Sequence, residues 1–200
     1  MASNASQLGA DKWVLSKVST PGFFLDVGAA DGFTISNTLL LEENGWKGIA
    51  VDAFPRNFEK RTNTIVESAV VAAKKGEMVD FLVPTHYRDF SGITRNLGKH
   101  KEVLSQVETQ TVSRETSLLS DILDKHNAPL TIDYMNLDIE GSEYEILSTF
   151  PFDKYTIKYI TVEHNFEEPK RTQIYDLLKS KGYEREKEVE WDDWYYHLTA

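Results

Sequence analysis

From Phe23 onward, short apolar runs alternate with stretches whose apolar residues recur every three or four positions. The runs predict strands at 23–27, 48–53, 64–71, 132–138 and 157–163. Between them, Leu118, Leu119, Ile122 and Leu123 share one helical face, as do Ile174, Leu177 and Leu178. Ser142, after Gly141, is placed to start a helix, and Pro169 suits a first helical turn. Strands that are apolar almost throughout, alternating with helices, predict an α/β fold with a parallel sheet covered on both faces. The tail follows another pattern. Residues 183–190 alternate with charge and 194–198 are aromatic, which predicts an antiparallel hairpin at the sheet edge, joined around Asp192-Asp193.

Two stretches fit neither period. Residues 1–20 are polar and small, with Trp13, Val14, Leu15 and Val18 as anchors for a short leading helix or a lid. Residues 84–112 carry Tyr87, Phe90, Ser91, Gly92 and Arg95 and match no strand or helix. A loop that long inside a compact domain is usually functional, so a substrate loop is expected there, hinged at Gly92 and Gly98. The 200 residues suit a single domain, 1–200, with a sizeable core.

Composition narrows the partners. The chain has no cysteine, so neither a disulfide frame nor a thiolate metal site is possible. A net charge of -10 opposes long contact with phosphate backbones, which makes nucleic acid a poor substrate. The first residues lack the basic and apolar regions of a secretory signal, and no apolar run reaches the roughly 20 residues that span a bilayer. A cytoplasmic location is the expectation. The oligomeric state is left open.

The stretch FFLDVGAADG, residues 23–32, ends an apolar run in a carboxylate and then bends through two glycines. A dinucleotide fingerprint would continue G-x-G-x-x-G, but Ala30 and Phe33 stand where the second and third glycines belong. A P-loop would need Lys and Ser or Thr after its last glycine, and neither follows. What remains suits a ligand with an amine and no phosphate. S-adenosylmethionine answers that description. Asp26 can reach its ammonium, the turn residues Gly28, Ala29, Ala30 and Gly32 allow a close approach, and a helix beginning near 33–35 can face its carboxylate. Asp52, at the end of GIAVDAFP, is positioned for both ribose hydroxyls, with Ala53 beside it. By analogy with such folds, Ser68 and Ala69 would border the adenine. Asn37 would lie one turn into the first helix, either pointing at the donor or satisfying a buried backbone group.

These motifs resemble the FkbM-type methyltransferases. The similarity runs through residues 23–55, IDYMNLDIEGSEYEIL at 132–147, YITVEHN at 159–165 and DDWYYH at 192–197. It is weakest across 72–116, and Asp52-Ala53 stands where many relatives carry glutamate and proline. The resemblance implies a Rossmann-like class I methyltransferase fold with a mostly parallel seven-stranded sheet. It also implies S-adenosylmethionine as donor and, most often, O-methylation.

Such sheets bind ligands beyond the carboxyl ends of their strands, where Asp138, Glu163 and His164 would gather near the acceptor. His164 is the expected general base, with Asp138 orienting the acceptor or holding the donor's ammonium. Asp138, Glu163 and His164 could instead hold a divalent ion, but adjacent strand positions point Glu163 and His164 to opposite faces, so no metal is expected. Glu140 reads as a cap of the following helix, and Glu143 and Glu145 as solvated first-turn charges. The acceptor is expected to be a small molecule or saccharide bearing a hydroxyl. Two rivals stay open: a nucleotide-dependent oxidoreductase, and a donor-binding scaffold or partner subunit without its own catalysis.

Overall fold

The computed structural model describes residues 6–84, 92–93, 106 and 108–200. In chain order the strands are β1 (Phe23–Val27), β2 (Lys47–Asp52), β3 (Thr64–Ser68), β4 (Val70–Val71), β5 (Met78–Pro84) and β6 (Gly92–Ile93). They continue with β7 (Thr109–Ser117), β8 (Thr131–Leu137), β9 (Thr156–Glu163), β10 (Tyr183–Val189) and β11 (Asp192–His197). The described helices are α1 (Ala10–Lys17), α2 (Leu39–Glu43), α3 (Leu119–Lys125), α4 (Glu143–Thr149) and α5 (Lys170–Ser180).

The main sheet has seven strands in the order β10-β11-β9-β8-β1-β2-β3. Every pairing from β3 to β9 is parallel, and β11 enters antiparallel between β9 and β10. This is the Rossmann-like methyltransferase arrangement, with the edge hairpin that the tail's alternation predicted. Strand order reverses between β1 and β8, so their carboxyl ends diverge and leave a crevice.

Alternation along β1 divides the core in two. Leu25 and Val27 face α3, α4 and α5 in a cluster with Leu123, Ile146 and Leu178. Phe24 faces the other way, among Ala10, Trp13 and Val14 of α1 and Leu41 of α2. Asp26, two residues on, shares that face. Trp13 lies 5.0 Å from Trp194 and 5.5 Å from Tyr159, ring to ring, which holds α1 against the sheet. Each such aromatic contact contributes about 0.5–1.5 kcal/mol beyond its buried area. The leading helix is thus anchored at its centre.

Three expectations change here. The predicted strand 64–71 divides at Ala69: β3 stays in the main sheet, while β4 pairs with β7 in a second, four-stranded sheet ordered β4-β7-β5-β6. The described parts of 84–112 belong to strands, since Pro84 ends β5, Gly92–Ile93 form β6 and Thr109 begins β7. The rest of that stretch, Tyr87, Phe90, Ser91, Arg95 and Gly98 included, lies outside the described residues. Finally, Asp192 and Asp193 are strand residues paired with Glu163 and Val162, and the hairpin turns at Glu190–Trp191. Glu190 takes the left-handed conformation that the turn requires, with φ 53°. Among the described residues, no helix is long and apolar enough to cross a membrane.

Candidate functional site

Asp26 ends a polar chain laid under the crevice. Its Oδ2 accepts the Thr38 hydroxyl at 2.6 Å and its Oδ1 accepts Asn136 Nδ2 at 3.1 Å. Asn136 Oδ1 accepts the Thr161 hydroxyl at 2.9 Å, and that hydroxyl meets the Tyr134 hydroxyl at 2.7 Å. Burial raises the Asp26 pKa against the lowering effect of Thr38, Arg61 and Asn136. Asn136 and Thr161 sit inside apolar strands, and nothing in the sequence pattern marked them.

The expected helix at 33–35 is absent. Residues 33–38 form turns instead, because side chains capture the backbone donors first. Asp31 Oδ1 accepts Phe33 N at 2.9 Å and Thr34 N at 2.7 Å, and Ser36 Oγ accepts Leu39 N at 3.2 Å. The helix begins only at Leu39, so Asn37 stands in a loop that borders the crevice. Arg61 fixes this loop from below. Its guanidinium is buried, pairs with Glu42 at 2.5 Å, and donates to Gly32 O at 2.7 Å and to Thr38 and Thr64 at 3.2 Å.

Gly28 and Gly32 have φ of 89° and 68°, and both leave room for protein rather than ligand. A Cβ on Gly28 would fall 1.6 Å from the Asp138 carbonyl oxygen, and one on Gly32 would meet the Phe58 ring at 2.6 Å. Ala30 follows the same bend with φ 48°, its N–H given to Asp52 Oδ2 at 2.9 Å. Asp52 Oδ1 accepts Phe54 N at 2.7 Å. The carboxylate thus braces the turn while lining the crevice. Ala29, Ala53 and Ala69 line it as well. Ser68 does not: it is exposed and bonds Ala53 O and Arg114, because it ends β3 on the far side of Ala69.

Together these residues wall a cleft of about 400 Å³. Asp26, Gly28, Asp52 and Asp138 surround one side, with Glu140, Glu163, Asn165 and Trp191 beyond them. Phe81 and Ile93 of the second sheet and Gln7 complete the wall. Sequence reasoning missed those three, although Val79, Phe81 and Val83 do alternate inward along β5.

The far end is acidic. Burial, then the charges of Glu140, Asp192 and Glu143, pushes the Asp138 pKa well above the carboxylate range. Burial and the neighbouring Asp138 do the same to Glu163. Glu143 is 3% exposed rather than solvated, and its Oε1 accepts Ile139 N and Gly141 N, both at 3.0 Å. Burial raises its pKa to about 7. A raised folded-state value means that the native chain holds a proton that the unfolded chain has lost. Stability from this group therefore falls as pH rises from 4.5 toward 7. Glu143→Gln is expected to be stabler than the parent at pH 8, by about 1–3 kcal/mol, and to lose that advantage at pH 5. Melting temperatures across this range check it; an advantage independent of pH would contradict the assignment.

His164 departs from its expected role. As strand alternation required, it points away from Glu163, and its side chain is 1% exposed. Its Nδ1 accepts Phe166 N at 3.0 Å, which leaves the proton on Nε2, 3.4 Å from Asp193 Oδ1. Asp193 also holds Arg171 and Arg185. Nδ1 is thus engaged, Nε2 lies near Asp193 without a hydrogen bond, and His164 is not among the residues that line the cleft. Asp138, Glu163 and Glu140 gather instead.

No curated protein matches the sequence. One similar solved structure is Burkholderia thailandensis 1,6-didemethyltoxoflavin-N1-methyltransferase, with bound 1,6-didemethyltoxoflavin and S-adenosylhomocysteine. It shares 9% sequence identity, with a TM-score of 0.46 over 94% of this chain and 74% of that one. The strand order described above stands independently of that likeness. The methyltransferase FkbM domain matches residues 26–185, from the β1 carboxylate into β10. The chain therefore belongs to the FkbM methyltransferase domain family, whose methyl donor is S-adenosylmethionine.

Proposed function

We propose that this chain methylates a hydroxyl oxygen of a small molecule or saccharide. The observation that carries this reading is a single cleft joining the Asp26–Asp52 side to buried carboxyl groups at the tips of β8 and β9. The residues fit the donor. Asp52 presents a carboxylate to the ribose hydroxyls, Ala53, Ala69 and Val70 offer an apolar rest for adenine, and Asp26 and Asp138 attract the ammonium.

S-adenosylmethionine supplies the methyl group on an activated sulfonium, so the acceptor oxygen forms its bond to carbon as the carbon–sulfur bond breaks. Alignment by the cleft walls supplies much of the rate, since effective molarities reach about 10⁵–10⁸ M. The acceptor's proton must also leave. Asp138 and Glu163 are the groups in reach, and burial raises both above ordinary carboxyls, which makes their ionised forms stronger bases. Buried carboxyl groups crowd this end of the cleft and offer hydrogen bonds suited to a neutral polyol.

The test is an acceptor panel. Full-length chain, labelled donor and a set of hydroxylated and amine-bearing metabolites would be incubated, and methylated products identified by mass and NMR. An O-methyl product supports the proposal. Methylation confined to nitrogen or carbon would overturn it.

A further inference from the structure

We propose that Asp138, Glu140 and Glu163 form a binding site for a hard divalent cation, such as magnesium or manganese, at the acceptor end of the cleft. One oxygen from each lies within 4.8 Å of the other two. An ion with oxygen ligands at about 2.0–2.6 Å sets its ligand atoms about 3–5 Å apart, so the three oxygens already stand around one centre.

Glu163 points to a ligand on its own. It is 8% exposed, and its Oε2 is buried with no hydrogen-bond partner. Among the described residues, no Lys or Arg forms an ion pair with Asp138 or Glu163; the two carboxyls hydrogen-bond each other instead. An orphaned buried carboxylate oxygen is costly, and a cation beside Glu163 removes that cost.

The backbone is shaped for the purpose. Asp138 and Glu140 flank Ile139 in the turn after β8, and Glu140 takes φ 59° there. Glu143 holds that turn by accepting Ile139 N and Gly141 N. Glu163 ends β9, which pairs with β8 up to Leu137–Val162. The set therefore rests on two hydrogen-bonded strands and a braced turn, as a metal site requires. His164 is not part of this set, since its side chain does not line the cleft. Three carboxylate oxygens select a hard ion over zinc or copper, and they leave coordination positions for acceptor oxygens and water. The ion's use rests on the function proposed above: it would lower the pKa of an acceptor hydroxyl and favour acceptors with a second oxygen beside it.

Manganese alone is the probe. Metal-stripped full-length chain would be titrated with Mn²⁺, without donor or acceptor, and free Mn²⁺ read by electron paramagnetic resonance. We expect one ion per chain, with affinity at least about 10-fold weaker in Glu163→Gln and in Asp138→Asn. Two variants are used so that one folding defect leaves the other to decide, each checked by its melting temperature. No bound manganese, or binding that both folded variants retain in full, would overturn the site. Bound manganese without methyl transfer would count against the proposed function and leave the site standing. A chain that methylates a hydroxyl but binds no manganese would do the reverse.

Discussion

Gly28→Ala is expected to destabilise the fold by about 3–5 kcal/mol, enough to unfold many domains of this size at physiological temperature. Two penalties combine. The residue's φ of 89° strains any side chain, and the added Cβ would lie 1.6 Å from a backbone oxygen. Nothing flexible can yield, because Asp138 N already bonds Val27 O at 3.0 Å and Gly28 N bonds Val51 O at 2.8 Å. Relief would require parting β1 from β8 at the switch point, where the cleft opens. Any soluble variant should also bind donor more than 10²-fold more weakly, since 3 kcal/mol of distortion at the site corresponds to about that factor. Chemical denaturation checks the first effect. A loss below about 1 kcal/mol would mean that the strands separate more readily than their hydrogen bonds imply.

Glu163→Gln is expected to lower turnover by about 10²–10⁴ while donor affinity stays within about threefold. The substitution keeps the side chain's size and removes the charge that either takes the acceptor's proton or holds an ion beside it. His164→Ala should behave in the opposite way. It takes one partner from Asp193, which retains Arg171 and Arg185, so the loss should appear in the melting temperature and leave turnover largely intact. Single-turnover rates for both variants decide the matter. A collapse of turnover in His164→Ala, with Glu163→Gln unaffected, would restore the histidine as base.

The centre of the main sheet was legible because β1, β2 and β9 are largely apolar on both faces, the edge hairpin because its charges alternate, and the donor side because it is local. Asp26, Gly28 and Asp52 belong to one β1–β2 unit and stand next to one another in the fold. The acceptor side joins β8 to β9, and there sequence spacing misled. His164 looked chemically apt, while Glu140 and Glu143 looked like ordinary helix-start charges. Burial and the turn at Glu140 exchanged those roles, and neither can be read from residue type. The second sheet was hidden for another reason. β7, Thr109–Ser117, is polar along most of its length and pairs with β5 across a long intervening stretch. A strand defined by its partner leaves little trace in its own sequence. Arg61 is the extreme case. Its burial against Glu42 depends on elements 19 residues apart in the sequence.

The central claim is that the cleft at the carboxyl ends of β1 and β2 holds the methyl donor. Calorimetry with S-adenosylhomocysteine tests it most directly, with the parent chain and Asp52→Ala compared at matched folding. One molecule should bind per parent chain. Loss of a charge-assisted ribose contact, worth about 1.5–3 kcal/mol, should weaken the variant roughly 10- to 150-fold. No binding to the parent, or equal affinity in a folded Asp52→Ala chain, would contradict the account.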